Sequence, residues 1–286
     1  MKVRIGIGLG QASDEGAGAA LAAVDHHGFD SLWVSEVLTS PAPDPLLTLA
    51  SLAGAYPRKR LGATLVLPGR NPVRLAKSLA TLDHLIGGRL LLAFVPGLAQ
   101  GVEREAIGVP VAERGRAMDE ALPKLRRWWA GEEVDGIRVE PRPVQEPLEP
   151  WLAGIAPASL RRCGRYGDGW LGAFCTVEEA VEAKRVIDEA AAAAGREVDP
   201  EHFGMSIGYA HADPDGARIA AIAARTKARD VDPRDLLPVG LDAVRRRVEE
   251  FVERGISKFV LRPVDARGSW DDELGALAAA VGDLQT

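Results

Sequence analysis

Apolar and polar positions along this chain fall into two alternating kinds of block. Short apolar runs, each stopped by glycine or proline, read as strands buried on both faces. Longer stretches, in which Leu, Ile, Val or Ala return every three or four positions, read as amphipathic helices. The clearest unit covers residues 61–97. The apolar run 61–67 predicts one strand, and Pro68-Gly69 predicts the turn that ends it. Asn71-Pro72 then supplies a helix N-cap and a proline at the first helical position. Leu75, Leu79, Leu82, Leu85 and Ile86 share one helix face, Gly87-Gly88 closes it, and residues 89–95 form a second strand. The unit is β-α-β.

The same alternation predicts strands at 3–9, 30–35, 151–154, 169–174, 202–210 and 258–262. Helices are expected to open at Asp14, Asp44-Pro45, Pro157, Thr176, Asp213, Gly240 and Trp270, with another over 113–130. The Pro- and charge-rich segment 131–150 holds a short hairpin around Gly136. Eight strands alternating with helices over 286 residues predict one (β/α)8 TIM barrel spanning residues 1–286. The main rival is a doubly wound sheet, and the lack of GxGxxG after the first strand weakens it.

Charge and composition narrow the function. A net charge of -6, with basic and acidic residues mixed along helices, argues against a nucleic-acid surface. Two cysteines without a CxxC make a disulfide framework or structural zinc unlikely. No apolar run approaches the roughly 18 residues of a membrane span, and Met1-Lys2 leads straight into a strand. These features point to a soluble, cytoplasmic protein without membrane contacts.

In a barrel of this kind chemistry gathers at the C-terminal strand ends. The residues expected there include Gln11, Glu36, Pro68 to Asn71, Pro96-Gly97, Gly154-Ile155-Ala156, Phe174-Cys175, Tyr209, His211 and Arg262. No HxH ends a strand and no HExxH occurs; His26-His27 fall late in a helix, so metal catalysis is disfavoured. Nor do paired glutamates suggest a glycosidase. Cys163, within a helix, reads as a packed residue, and Cys175 has no histidine partner in sequence. The Gly154-Ile155-Ala156 turn offers free amides at a helix start, where a phosphate can sit; it is equally an ordinary strand-to-helix turn. Arg262 offers a cation to an anion or a salt bridge. Leu65 and Val66 form an apolar wall suited to a flat ring, or to packing alone.

Five stretches then match a family together: DSLWVSE, RLGATLVLPGRNPVRLAKSLATLDHLIGGRLLLA, GVPVAERGRAMDEAL, WLAGIAPASLRRCGRYGDGW and GISKFVLR. They resemble the bacterial luciferase-like flavin-dependent oxidoreductases, in order along nearly the whole chain, and most of all the actinobacterial branch that uses the deazaflavin coenzyme F-420. The resemblance implies a (β/α)8 barrel, often a homodimer, with the coenzyme ring at the barrel mouth. It implies a bulge near Leu65-Val66, often with a non-prolyl cis peptide, that backs the ring, and a phosphate loop at Gly154, Ile155 and Ala156. Gly97, closing the adjoining strand, is a further expected coenzyme-binding residue, and Glu36 and Asn71 are placed to hydrogen-bond coenzyme or substrate. His211, if it points inward, is a candidate acid or base alongside Glu36.

Three departures stand against this. Val37 replaces a histidine common among relatives, and Leu98 stands where deazaflavin-dependent sugar dehydrogenases carry a catalytic carboxylate. Phe94 and Pro96 would crowd the coenzyme pocket. Two readings follow. The first is an oxidoreductase or monooxygenase using coenzyme F-420, or flavin mononucleotide (FMN), on a small organic substrate. The second is a cofactor-poor barrel that binds a ligand or partner without catalysis.

Overall fold

Eight parallel strands close on themselves in chain order in the computed structural model, which describes residues 1–10 and 16–286. They are β1 (Arg4–Gly8), β2 (Ser31–Ser35), β3 (Arg60–Val66), β4 (Leu90–Val95), β5 (Pro150–Ala153), β6 (Gly169–Ala173), β7 (Phe203–Tyr209) and β8 (Lys258–Pro263). β8 pairs with β1, Arg4 facing Lys258 and Ile7 facing Leu261, so no strand edge is left open. Around them lie α1 (Gly16–His26), α2 (Pro45–Leu52), α3 (Pro72–Leu85), α4 (Gly101–Ala106), α5 (Val111–Trp129), α6 (Pro157–Tyr166), α7 (Val177–Ala193), α8 (Gly216–Thr226), α9 (Leu241–Glu253) and α10 (Trp270–Val281). The (β/α)8 barrel expected from the alternation is the fold. Gln11 and Asp14 lie outside the described residues. None of the described helices is long and apolar enough to cross a membrane.

The predicted helix starts follow from short-range hydrogen bonding. Asp44 accepts from the amides of Leu46 (2.8 Å) and Leu47 (3.1 Å), and Asn71 from that of Arg74 (3.0 Å). Thr176 and Glu179 form a reciprocal capping box. α8 departs from expectation: Asp215, not Asp213, caps it, accepting from the Arg218 amide (2.7 Å). Pro214 lies between them and disfavours a helical backbone at Asp213. α4 was not legible, being too short to show a period. The hairpin at Gly136 is one bridge, with Val134 and Ile137 exchanging bonds of 2.9 and 3.0 Å. Asp135 (φ 54°) and Gly136 (φ 75°) supply the two left-handed positions of its turn.

Strand side chains alternate between two cores. Trp33, Ala93, Leu171 and Val260, with Leu91 and Trp151, line the barrel interior. Ile5, Leu32, Leu65, Phe94, Leu152 and Leu261 point outward into the core shared with the helices.

Helix-on-helix contact is closest between α6 and α7. A Cβ on Gly164 would lie 2.4 Å from the Ile187 carbonyl oxygen and 2.7 Å from the Ala191 amide nitrogen, both rigid backbone. Gly164→Ala is therefore expected to lower stability by about 1–3 kcal/mol. Gly18→Ala, with open space around its Cβ within α1, should be neutral or slightly stabilising. Thermal unfolding of the two variants checks this; equal melting temperatures would show that α6 and α7 are not in such close contact.

Candidate active site at the C-terminal barrel mouth

Glu36, the first residue past β2, is almost sealed from solvent at 5% side-chain exposure. One carboxylate oxygen accepts from the Val66 amide at 2.7 Å, and the other pairs with the Arg70 guanidinium. Its own amide donates to the Thr64 carbonyl (2.8 Å). Burial raises the Glu36 pKa, while Arg70 and the Val66 N–H oppose the rise. Both oxygens are occupied, so Glu36 here clamps the end of β3 and fixes Val66 in place.

Leu65 and Val66 part company. Leu65 is fully buried in the outer core and turns its side chain toward the helices, so it does not wall the mouth. Val66, one residue on, has the opposite orientation; a Cβ on Gly97 (φ 79°) would meet Val66 Cγ1 at 3.1 Å and Ile107 Cδ1 at 2.3 Å. Only glycine lets the β4 end approach Val66 this closely. The expected bulge is absent, since β3 and β4 stay in register through Leu65↔Phe94 and Val66↔Val95. The cis peptides among the described residues are Glu140-Pro141 and Glu146-Pro147, so the Leu65-Val66 bond is not one of them. Phe94 is likewise turned into the helix layer and does not fill the mouth. Asn71 is exposed, and its side-chain oxygen is engaged as the α3 cap.

The turn after β5 has the features of an anion cradle. Gly154 adopts φ 114°, and a Cβ there would press on Ser159 Cβ at 3.1 Å. Ala156 is the N-cap of α6 but has no side chain able to cap it. The amides of Ile155, Ala156 and Ala158 donate to no carbonyl or side chain among the described residues, whereas those of Ser159 and Leu160 return to the Ala156 carbonyl. Ala156, Pro157 and Ala158 are exposed. Three unpartnered N–H groups at the positive end of a ten-residue helix suit a phosphate.

At β8, the Arg262 side chain lies against Gly8 and Gly10 of the β1 end and Gly208 of β7. Burial lowers its pKa, and the nearby Arg225 lowers it further. Neither guanidinium has a carboxylate partner among the described residues. Arg225 lies 5.0 Å over the ring of Phe174, a bulky residue held at the left-handed φ of 53°. Among the described residues the mouth therefore carries positive charge without a carboxylate partner on this side.

His211 does not point inward. Its Nε2 lies 2.7 and 2.9 Å from the two carboxylate oxygens of Glu273 on α10. Strand alternation explains this: Tyr209 already points into the helix layer, and its hydroxyl donates to the same Glu273 (2.7 Å). Burial pushes both the Cys163 and Cys175 thiols up to about 12, which leaves no thiolate nucleophile at neutral pH. His26, His27 and Asp271 cluster where the end of α1 meets the first turn of α10, in the helix layer outside the barrel.

Two buried charges that shape the mouth escaped the sequence reading. Arg114 binds the carbonyls of Leu98 (2.7 Å), Arg104 (2.8 Å) and Val109 (3.0 Å), tying down the segment from β4 to α5. Glu103 accepts from the amides of Leu38 (2.8 Å) and Thr39 (3.0 Å), tying α4 to the β2 end. Arg114 stands in GVPVAERGRAMDEAL, a stretch that carries the family resemblance, and that place is its one signal in the sequence. Thr64 and Ser206, which alternate with outward-facing Leu65 and Met205, add small polar groups inside the barrel.

Known proteins share this architecture. Residues 4–286 match the family model described as luciferase-like monooxygenase. The uncharacterised protein Rv0953c of Mycobacterium tuberculosis is 32% identical over 179 residues, 57% of this chain and 61% of its own length. The F420-dependent glucose-6-phosphate dehydrogenase of Kineococcus radiotolerans is 28% identical over 51% of this chain and 49% of its own. The chain thus spans less than two thirds of the curated relatives it matches. The crystal structure of monooxygenase RslO1 from Streptomyces bottropensis superposes with a TM-score of 0.77 at 25% identity, over 98% of this chain and 99% of that one.

Proposed function

The chain belongs to the luciferase-like monooxygenase family, and from that premise we propose that it is an oxidoreductase that binds coenzyme F-420, or alternatively FMN, and acts on a small organic substrate. The observation that carries this reading is the uncapped start of α6, whose three unpartnered amides fit the phosphate common to both coenzymes. When bound, such a coenzyme supplies hydride transfer, or with FMN oxygen activation as well.

The residues of the chain bind and orient. The amides of Ile155, Ala156 and Ala158 hold the phosphate. Val66, fixed by Glu36 and packed against Gly97, offers an apolar back to the ring. Arg225 and Arg262 present positive charge to an anionic group of coenzyme or substrate across the mouth. The outward turn of Phe94 favours this reading over a closed, cofactor-poor barrel. With both Glu36 oxygens engaged and His211 held by Glu273, proton transfer falls to the coenzyme or substrate rather than to these two side chains. Assembly as a cytoplasmic homodimer belongs to the same proposal.

Paired fluorescence titrations of the purified protein with coenzyme F-420 and with FMN test it. Saturable one-to-one binding of coenzyme F-420 is the expected result. A preference for FMN would shift the assignment to a monooxygenase, and failure of both to bind would overturn it.

A further inference from the structure

The opposite, N-terminal end of the barrel holds a solvent-open cavity of about 90 Å³ that the coenzyme reading leaves unused. Two indoles wall it, and each lies over glycines that leave it room. A Cβ on Gly62 would meet Trp33 Cδ2 at 2.2 Å, and one on Gly6 would meet its Nε1 at 3.1 Å. On the other side, a Cβ on Gly169 would meet Trp151 Cε2 at 2.4 Å, and one on Gly204 would meet Cζ3 at 3.2 Å. Leu91, Leu171 and Val260 form the floor. The Trp33 indole N–H donates to Ser31 Oγ (3.1 Å). That of Trp151 has no acceptor among the described residues, and since no buried side-chain nitrogen there lacks a partner, it is open to solvent.

The rim is charged but nearly balanced. Arg4 pairs with Asp30 at 2.8 Å, Lys258 lies 3.7 Å from Glu201, and His202 lies 3.7 Å from Glu149. Arg60, at the start of β3, is the rim cation left without a carboxylate among the described residues. Barrel interiors are normally packed solid. Here the glycines make room for both indoles, and a cavity is left at the N-terminal strand ends.

We propose that this cavity binds a small single-ring aromatic carboxylate, its ring against Trp33 and Trp151 and its carboxylate on Arg60. At about 90 Å³ the cavity is smaller than the roughly 150 Å³ that encloses a benzene in an apolar interior, but it opens to solvent, so a ring need be only partly enclosed. An aromatic-lined concavity with one convergent cation is the usual form of a small-molecule site, and a guanidinium takes a carboxylate by two parallel hydrogen bonds. The inference is independent of the coenzyme reading, because the two sites lie at opposite ends of the barrel.

Benzoate is the probe, followed through the indole N–H resonances of the tryptophans, with Trp151→Phe used to assign the Trp151 signal. Benzoate should shift the Trp151 and Trp33 signals saturably. Benzyl alcohol, which keeps the ring and loses the charge, should bind about tenfold more weakly, as should benzoate to Arg60→Gln, each a loss of about 1.4 kcal/mol. Arg60 makes no ion pair among the described residues, so its variant should fold as the parent does, and unchanged remaining resonances would confirm that. Affinity for benzoate should be the same with either coenzyme at saturation. No saturable shift, undiminished binding by Arg60→Gln, or competition with coenzyme would overturn the proposal.

Discussion

Replacing Ala156 with aspartate should stabilise the protein and remove its coenzyme binding in the same step. Ala156 is the N-cap of α6, its backbone (φ -62°, ψ 141°) is already that of a good cap, and its methyl group leaves the first amides of the helix unsatisfied. Aspartate is among the best N-caps, and replacing alanine with it gains about 1 kcal/mol. In a chain of this size that raises the melting temperature by roughly 2–4 °C. The same carboxylate would occupy the amides assigned to the coenzyme phosphate and repel it. Like-charge juxtaposition costs several kcal/mol, and about 3 kcal/mol corresponds to roughly a hundredfold loss of affinity. The opposite signs give the test its force, since lost binding cannot then be blamed on a damaged fold. Gly154→Asp should weaken binding at least as much, but with lower stability, because φ 114° and the nearby Ser159 leave no relaxed place for a side chain. Calorimetry and coenzyme titration on both variants suffice. If Ala156→Asp binds coenzyme as the parent does, the phosphate is not held at α6.

What could be read from the sequence, and what could not, divides along a physical line. The barrel and most helix starts are decided by neighbours in sequence. Asp44, Asn71 and Thr176 cap helices through bonds reaching two or three residues, and such patterns are visible in a string of letters. The glycine turn at Gly154, with Pro157 opening α6, belongs to the same class. The direction of a strand side chain is different, because one residue of register reverses it. In sequence Leu65 and Val66 therefore look like one wall although they point to opposite cores, and Phe94 looks like an obstruction although it faces the helices. The partners of Glu36 and Glu103 lie 30 to 65 residues away. The N-terminal cavity was illegible for the same reason: it arises where glycines on four different strands meet two tryptophans.

That distinction bears most heavily on His211, which sequence position made a candidate acid or base and the structure makes a partner of Glu273. Glu273 is 2% exposed and accepts from the Tyr209 hydroxyl (2.7 Å) and the Arg267 amide (2.8 Å) as well as lying against His211. Burial and this carboxylate together drive the Tyr209 phenol pKa far above its ordinary value, so it remains a neutral donor. Glu273→Ala would leave a buried hydroxyl and an imidazole without their shared acceptor. Breaking such a buried network by removing one member costs about 3–5 kcal/mol, or on the order of 10 °C in melting temperature here. Glu273→Gln keeps an acceptor of the same shape and should lose distinctly less. His211→Asn should lower stability in the same direction while leaving coenzyme affinity and, at temperatures where it is folded, turnover unchanged. Thermal unfolding set beside coenzyme titration and assay separates the roles. A His211→Asn variant that melts like the parent but has lost turnover would return His211 to the chemistry and show that its contact with Glu273 does not serve to hold α10 on the barrel.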